Sequence, residues 1–390
     1  YLVFFFEKDT SAQRIPILLL KSGSFSRRGL NGAVLMPQTV CAQSAFRFHR
    51  VPPQLRALYP PLPGTYQDSN HRKLASCSTA SDLLGTPIHR LVRARSAVNS
   101  GTTYQSHLVG GELPFGCIQE TDHGFLLAGP ELTLLTMAPS IDRVELLMAT
   151  YELCGSFSVF QPTVQAESLL KEAADQGFIP ENAGWKRVVD TKDAQTSLWK
   201  RDPMTGPKSL RSFLNQTKGL RGSKNLAWVI DHVTGTCASP FEVQASILLG
   251  LSRRLGGEGL PIQNNHRIRL NKQARTLYGH DHCFADIYIE ASGSHPALDI
   301  ECQGRSIHDS EAAGISDADR AAALERMGIQ VIQLSYKQFS NERSYQTVKE
   351  LIALKLGVPV KPKTPKEQTA EKALRHELFI DWNTLGTRAR

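Results

Sequence analysis

The sequence is short of several things that would each announce a function. Its seven cysteines (Cys41, Cys77, Cys117, Cys154, Cys237, Cys283, Cys302) include no Cys-x-x-Cys pair, are odd in number and are widely spread. That argues against a zinc knuckle and a disulfide framework, and it fits a reducing, cytoplasmic setting. No apolar run approaches the ~20 residues of a membrane span. The longest, 2–6 and 15–20, stop at Glu7, Lys8 and Lys21. The first lacks the basic lead of a signal peptide and the second is too short for its apolar region, so no membrane partner is expected. The chain opens at Tyr1 rather than Met, which leaves open a native start before it. No internal repeat is visible.

What is present describes a core-forming chain. The 390 residues are too many for one ordinary domain and comfortable for two. A hydrophobic share of 41% with 21% charged residues excludes a largely disordered or fibrous protein. The net charge of +8 and pI near 9.1 favour association with a polyanion, although alone they mean solubility and non-specific attraction.

Punctuation divides the chain. The first forty residues mix short apolar runs with Gly, Ser and Arg, which suggests short strands and turns. Pro52, Pro53, Pro60, Pro61 and Pro63 forbid a continuous helix over 51–64 and predict an irregular covering segment. β-like stretches follow at 88–92, 104–109, 116–120 and 124–127. Helices are predicted over 130–137 and 140–153, where Leu132, Leu135, Ile141, Val144 and Leu147 fall at helical spacing and Pro130 suits a first helical position. Residues 1–160 therefore read as a small α+β domain.

Residues 161–238 read as a basic helical connector. Within 200–224, Lys200, Arg201, Lys208, Arg211, Lys218, Arg221 and Lys224 face the single acid Asp202, a surplus of seven minus one, or +6. The segment is either a solvated helical face or a phosphate-tracking surface, with Lys208, Arg211, Lys218 and Arg221 as the nucleic-acid candidates.

From Ser239 the pattern becomes helix, strands, helix, strand, helix. Ser239-Pro240-Phe241-Glu242 carries a helix start, with Ser as N-cap, Pro at N1 and Glu at N3. Strand-like runs follow at 268–270, 284–289 and 296–301. A helix is predicted over 317–327, stopped by Gly328, then a strand over 329–334 buried on both faces. A helix over 344–356 closes a unit spanning 239–358. Within 359–390, the Lys-Pro tract 361–366 reads as a stiff, solvated linker to a short final helix over 371–379.

One arrangement carries chemistry. Asp286 lies inside one predicted strand and Glu301 ends the next, within Leu298-Asp-Ile-Glu-Cys-Gln-Gly304. Two carboxylates meeting at a sheet edge repel unless a divalent cation bridges them or one takes a proton. The cation would be hard and oxygen-seeking, Mg²⁺ or Mn²⁺. It would activate water and stabilise charge developing on a phosphodiester. The plain alternative is two edge acids facing solvent.

Ser239-Pro-Phe-Glu242, Ala285-Asp286, Asp299-Ile-Glu301-Cys-Gln303-Gly304 and Asp317-x-x-Arg320-x-x-x-Leu324-x-x-x-Gly328-Ile-x-Val331-Ile together resemble the very-short-patch-repair-like branch of the PD-(D/E)xK nucleases. The resemblance covers roughly residues 239–340. It implies an α/β, restriction-endonuclease-like core, a mixed sheet flanked by helices, behind an N-terminal α+β domain. It further implies a metal-dependent DNA-cleaving site at the sheet edge, with Asp286 and Glu301 as metal ligands and Glu242 as a contributor; a capping-box glutamate is the alternative for Glu242. The sequence departs from the pattern at Gln303, which stands where the superfamily has Lys, or Asp in the family's common form. Glutamine hydrogen-bonds phosphate or water but cannot titrate. His308 follows the motif and suits general acid or base work, or a surface loop. Arg320 suits a phosphate contact, or a salt bridge to Asp317 one turn earlier.

Ser44–Arg50, the segment 87–138 and Tyr151-Glu-Leu-Cys-Gly-Ser156 look like the region upstream of this nuclease-like domain in bacterial proteins, itself similar to AbiEi antitoxin-type regulator domains. Glu131 reads as a helix-start acid and Glu152 as a solvated helix-face acid. Three functions stay open: a metal-dependent DNA endonuclease, a non-catalytic DNA-binding or regulatory protein on the same fold, and a toxin–antitoxin component acting through a protein partner.

Overall fold

Short apolar stretches between glycine- and proline-marked turns build three sheets, and the longer helical repeats cover their faces. The computed structural model describes residues 38–59, 62, 77–177, 183–190, 192–293, 295–304 and 311–387, with the backbone alone for 311–317. The strands expected before residue 38, and Pro60, Pro61 and Pro63, lie outside the described residues.

The first sheet takes β1 (Thr39–Val40), β2 (Ile88–Val92), β3 (Tyr104–Leu108), β4 (Ile118–Glu120) and β5 (Leu126–Ala128) in the order β3-β2-β1-β5-β4. Its pairing is mixed: β2–β3 and β1–β5 are parallel, β1–β2 and β4–β5 antiparallel. Helices α1 (Ala42–Arg50), the single turn α2 (Pro53–Arg56), α3 (Ser78–Leu84), α4 (Pro130–Met137) and α5 (Arg143–Cys154) pack with it. Asp142 caps α5 by accepting from Glu145 N–H at 2.7 Å.

Helix α5 is the pillar of the molecule. Glu145 through Cys154 are all buried, because α4 and several later elements close around every side of it. Glu152 is consequently 0% exposed, not solvated as its helix-face position suggested. Its Oε1 accepts from Arg50 Nε at 2.8 Å and Val159 N–H at 2.9 Å, and its Oε2 accepts from Trp382 Nε1 at 2.5 Å. One buried carboxylate thus joins residues more than 300 positions apart in sequence.

Residues 161–238 are more than a helical connector. After β6 (Phe157–Val159) and α6 (Val164–Asp175) come β7 (Lys186–Val189) and β8 (Gln195–Lys200), in an antiparallel sheet ordered β6-β8-β7. Buried Trp199 in β8 and Trp185 just before β7 are the reason: their aromatic side chains seal against the core, and the Trp199 indole donates to Phe160 O at 3.0 Å. Helices α7 (Pro207–Gln216) and α8 (Ser223–Ile230) follow.

The third sheet positions the site. After α9 (Pro240–Gly250) come β9 (Ile262–Arg269), α10 (Lys272–Tyr278), β10 (His282–Ile289), β11 (Leu298–Gln303), α11 (Glu311–Arg326) and β12 (Gln330–Ser335). The strand order is β12-β11-β10-β9, with β11–β12 parallel and the other pairs antiparallel. Ile287, Leu298, Ile300 and Leu334 pack into the main core with α9 and with α12 (Tyr336–Ser340) and α13 (Glu342–Leu356). Cys283, Ala285, Leu324 and Ile329 form a second, smaller core beside α10 and α11. A mixed sheet covered on both faces results. As expected from sequence, the protein is mixed α/β with α+β organisation.

The main core runs without a break from Val40 to Leu385, through the boundaries expected near 160 and 238. Pro37–Arg390 is one compact unit. The C-terminal tract is part of it. Pro365 starts the final helix, α14 (Pro365–Leu378), six residues earlier than expected, with Thr364 and Glu367 forming a capping box. Lys363 is not a solvated linker residue: its side chain is 5% exposed and bonds Glu371 Oε2 at 2.6 Å and Glu258 Oε1 at 2.8 Å. The two carboxylates pull the tract onto the body.

Candidate metal centre and basic surface

The centre forms where two strands part. β10 and β11 pair only over Ile287–Ile289 and Leu298–Ile300. One residue beyond that ladder stand Asp286 and Glu301. The β9–β10 register also skips Asp286, opposite Asn265, a non-glycine residue held at φ 47°. With the ladder broken, side chains replace it. Asp286 Oδ2 accepts from Cys302 N–H at 2.9 Å, and the buried Asn264 Nδ2 donates to Asp286 O at 3.1 Å. Asn264 is itself held by Ser246 Oγ at 2.6 Å and Thr234 Oγ1 at 2.6 Å.

Glu301 shares a face of β11 with Asp299 and Gln303, by the two-residue period of a strand. Asp299 is 0% exposed, Glu301 half-buried and Gln303 exposed at the strand end. Arg320, on α11, donates to Asp299 Oδ2 at 3.1 Å and forms an ion pair with Glu301 Oε1. The guanidinium expected on a phosphate therefore sits on two carboxylates of the strand. Its tie is to neighbours in space, set by α11 crossing β11, and its shared charge is spent inside the fold.

Glu242 approaches from α9. Its Oε2 accepts from Ala238 N–H at 2.7 Å and its Oε1 from Ser239 Oγ at 2.8 Å, while Ser239 Oγ accepts from Glu242 N–H at 3.2 Å. The capping role and the position beside the acids coexist.

These acids raise one another. Burial, then the charges of Glu301 and Glu242, push the Asp286 carboxyl up to about 8, against the opposing Cys302 N–H and Arg320. Burial and Glu301, through charge and a hydrogen bond, push Asp299 up to about 9. Burial raises Glu242 too; the Ala238 and Ser239 hydrogen bonds and Lys200 work against it, and Glu301 adds to it. Burial alone would lower Arg320, but Glu301 and Asp299 outweigh it and raise that group. Burial holds the nearby Cys237 and Cys302 thiols well above their usual range, so neither supplies a thiolate at neutral pH.

This donor chemistry fits a hard divalent cation in one respect. Concentrated carboxylate charge, retained partly as protons, is what such a cation relieves. Among the described residues, no group of three or more His, Cys, Asp and Glu is arranged to hold a metal. Mg²⁺ is a cation that takes as few as one or two carboxylates and keeps waters or phosphate oxygens for the rest, and Asp286 and Glu301 are the two that could offer them. His308 lies outside the described residues.

The structure separates the basic residues. Arg201 is buried and structural, donating to Glu152 O at 2.7 Å and Gly155 O at 3.1 Å. Lys208, Lys218 and Arg221 are exposed, and Arg211 is exposed in a pair with Asp231 at 3.0 Å. The charge of Lys200 is felt at the acids, through Glu242. A cavity of about 890 Å³ lined by Leu249, Leu260, Leu356, Lys349, Lys363 and Glu371 contains none of the expected site residues.

Sequence reasoning missed Asp299 and Asn264 as parts of the centre. Asp299 was legible as the acid two positions before Glu301 on one strand face; Asn264 had no signal. Among the described residues no helix is long and apolar enough to cross a membrane. No family model, curated protein or solved structure matches the chain.

Proposed function

We propose that the chain is a metal-dependent DNA endonuclease of the very-short-patch-repair-like type, built on a restriction-endonuclease-like core. The observation that supports it is the acid pair Asp286 and Glu301 where β10 and β11 part, with the Asp286 carboxyl raised to about 8. Asp286 and Glu301 would hold Mg²⁺ or Mn²⁺, which when bound supplies charge stabilisation to a phosphodiester and acidifies a water. Cys302 N–H and Asn264 orient Asp286, and Arg320 orients Glu301. Gln303, exposed on the Glu301 face, donates its amide to a phosphate oxygen or a water but takes no proton. Lys208, Lys218 and Arg221 track phosphates without regard to sequence.

Incubation with supercoiled plasmid in Mg²⁺ or Mn²⁺ tests the reading. Nicking by the native chain, lost in Asp286→Asn and in Glu301→Gln, is expected. Nicking that survives both variants removes the assigned site.

Two observations favour a second reading, a catalytically degenerate DNA-binding or regulatory protein, including a toxin–antitoxin component. Arg320 already gives Glu301 and Asp299 a cation, and Gln303 stands where the nuclease pattern carries a titratable group. Salt-sensitive DNA binding with no nicking under any metal would select it.

A further inference from the structure

Residues 83–111 contain no Asp or Glu, and carry Arg90, Arg93 and Arg95 with His89 and His107. This acid-free stretch, β2 to β3 and beyond, meets the basic 200–224 segment directly. Gly111, at φ 69°, comes so close to Leu220 that a Cβ there would lie 3.2 Å from Leu220 Cδ2. Arg221 acts on His107, whose imidazole is lowered to about 4, first by burial and then by that charge. Arg93 donates to Gly111 O and is felt at Cys117, so it ties the loop that follows to the same surface. At the tip of that loop Phe115 is 107% exposed, while Cys117 N–H bonds Pro114 O at 3.3 Å behind it. Phe115 lies four positions beyond Gly111, a span of at most ~14 Å.

An aromatic ring wholly in water, within chain reach of a surface carrying several cations, is poorly explained by packing. Arg95, Lys218 and Arg221 are exposed, and the exposed acid closest in sequence is Glu112. Stacking on unpaired bases and attraction to a phosphate backbone use this combination, and duplex DNA offers the phosphates without the free base faces.

We propose that Arg93, Arg95, Lys218, Arg221 and Phe115 form a binding surface for single-stranded DNA, with the cations on phosphates and Phe115 stacked on a base. The inference rests on the nucleic-acid part of the reading above and is independent of metal and cleavage.

Fluorescence anisotropy in EDTA tests it, using labelled oligo-dT of about 20 nucleotides, the matching duplex, and inorganic polyphosphate as a baseless competitor. The native chain is expected to prefer oligo-dT over duplex. Phe115→Ala, a fully exposed position that leaves the core intact, is expected to weaken oligo-dT binding by about 10-fold and leave polyphosphate competition unchanged. Replacing Arg95, Lys218 and Arg221 by Gln is expected to flatten the salt slope by about 2. Duplex binding equal to or tighter than oligo-dT, or a Phe115→Ala variant with native affinity, overturns the proposal. Loss of nicking with oligo-dT binding intact would count against the endonuclease reading alone.

Discussion

Replacing Asp286 by Asn should stabilise the metal-free protein, and more so as pH rises. The substitution keeps the shape, and its amide oxygen still accepts from Cys302 N–H, which lies 2.9 Å away in the native chain. It removes only the charge. The native carboxyl rises from 3.8 to about 8 on folding, mainly through burial and then Glu301 and Glu242. The unfolded chain therefore releases the proton near pH 4 while the folded chain keeps it to about pH 8. Below the lower value the group favours the fold fully; that contribution is lost as pH rises between the two and is gone above the higher one. At about 1.4 kcal/mol per unit, pH 7.5 gives an upper bound near 5 kcal/mol for an isolated group. Because the raised carboxyls of Glu242 and Asp299 titrate together with Asp286, about 2 kcal/mol is the expected gain in the variant. Thermal unfolding by circular dichroism in EDTA from pH 5 to 8.5 would show an advantage of roughly 2–4 °C at pH 7.5, shrinking toward pH 5. Mn²⁺ should raise the melting temperature of the native chain at pH 7.5 and leave the variant unmoved. Parallel pH profiles for the two proteins, or a variant less stable at pH 7.5 than the native chain, would refute the reasoning.

Three further outcomes follow from the geometry. Arg320→Gln strips Glu301 and the buried Asp299 of their cation and should cost about 2–3 kcal/mol in urea denaturation at pH 7.5; a change under about 0.5 kcal/mol would mean the pairing is solvated away. Glu152→Gln sets amide hydrogens against Trp382 Nε1–H or Val159 N–H and leaves the buried Arg50 without a counter-charge, so a loss of about 3–5 kcal/mol is expected, and a loss below about 1 kcal/mol would contradict the buried network. Gly235→Ala forces a Cβ to within 2.4 Å of Asn264 O at φ 150°, so it should destabilise by about 2 kcal/mol or more. Because Asn264 holds the Asp286 backbone, the same variant should blunt the Mn²⁺ effect on melting, and native melting behaviour with and without Mn²⁺ would sever that link.

The elements that local chemistry decides were readable. The span Ile88–Val92 is β2 and Pro130–Met137 is α4, and Ser239 caps α9 by accepting from Glu242 N–H. The two helices are set by residues within a few positions, a Pro at N1 and a capping oxygen, and the strand by its short apolar-ended stretch. The misreadings share a cause in distance. Glu152 looked solvated because its partners Arg50 and Trp382 lie 102 and 230 positions away. Lys363 looked like a linker residue, yet Glu258 lies 105 positions back. The hairpin of β7 and β8 hid in a polar segment because Trp185 and Trp199 signal burial only once a core exists to receive them.

The centre divides along the same line. Asp286 and Glu301 could be named from the order of strands, because antiparallel neighbours in sequence are neighbours in the sheet. What the order of strands could not convey is where the ladder fails, and that failure creates the notch. It depends on Asn265 at φ 47° and on Asn264 bridging to Ser246 and Thr234. Nor could a helix register say that Arg320 would reach Asp299 and Glu301 on β11. Yet Arg320 shapes the electrostatics most. It gives one positive charge to Asp299 and Glu301, and Asp286 still sits with a raised carboxyl beside Glu242. Arg320 does not balance the acids that face it, so the centre keeps protons at neutral pH. A divalent cation bound as proposed by Asp286 and Glu301 would have to displace those protons, which would couple its affinity to pH.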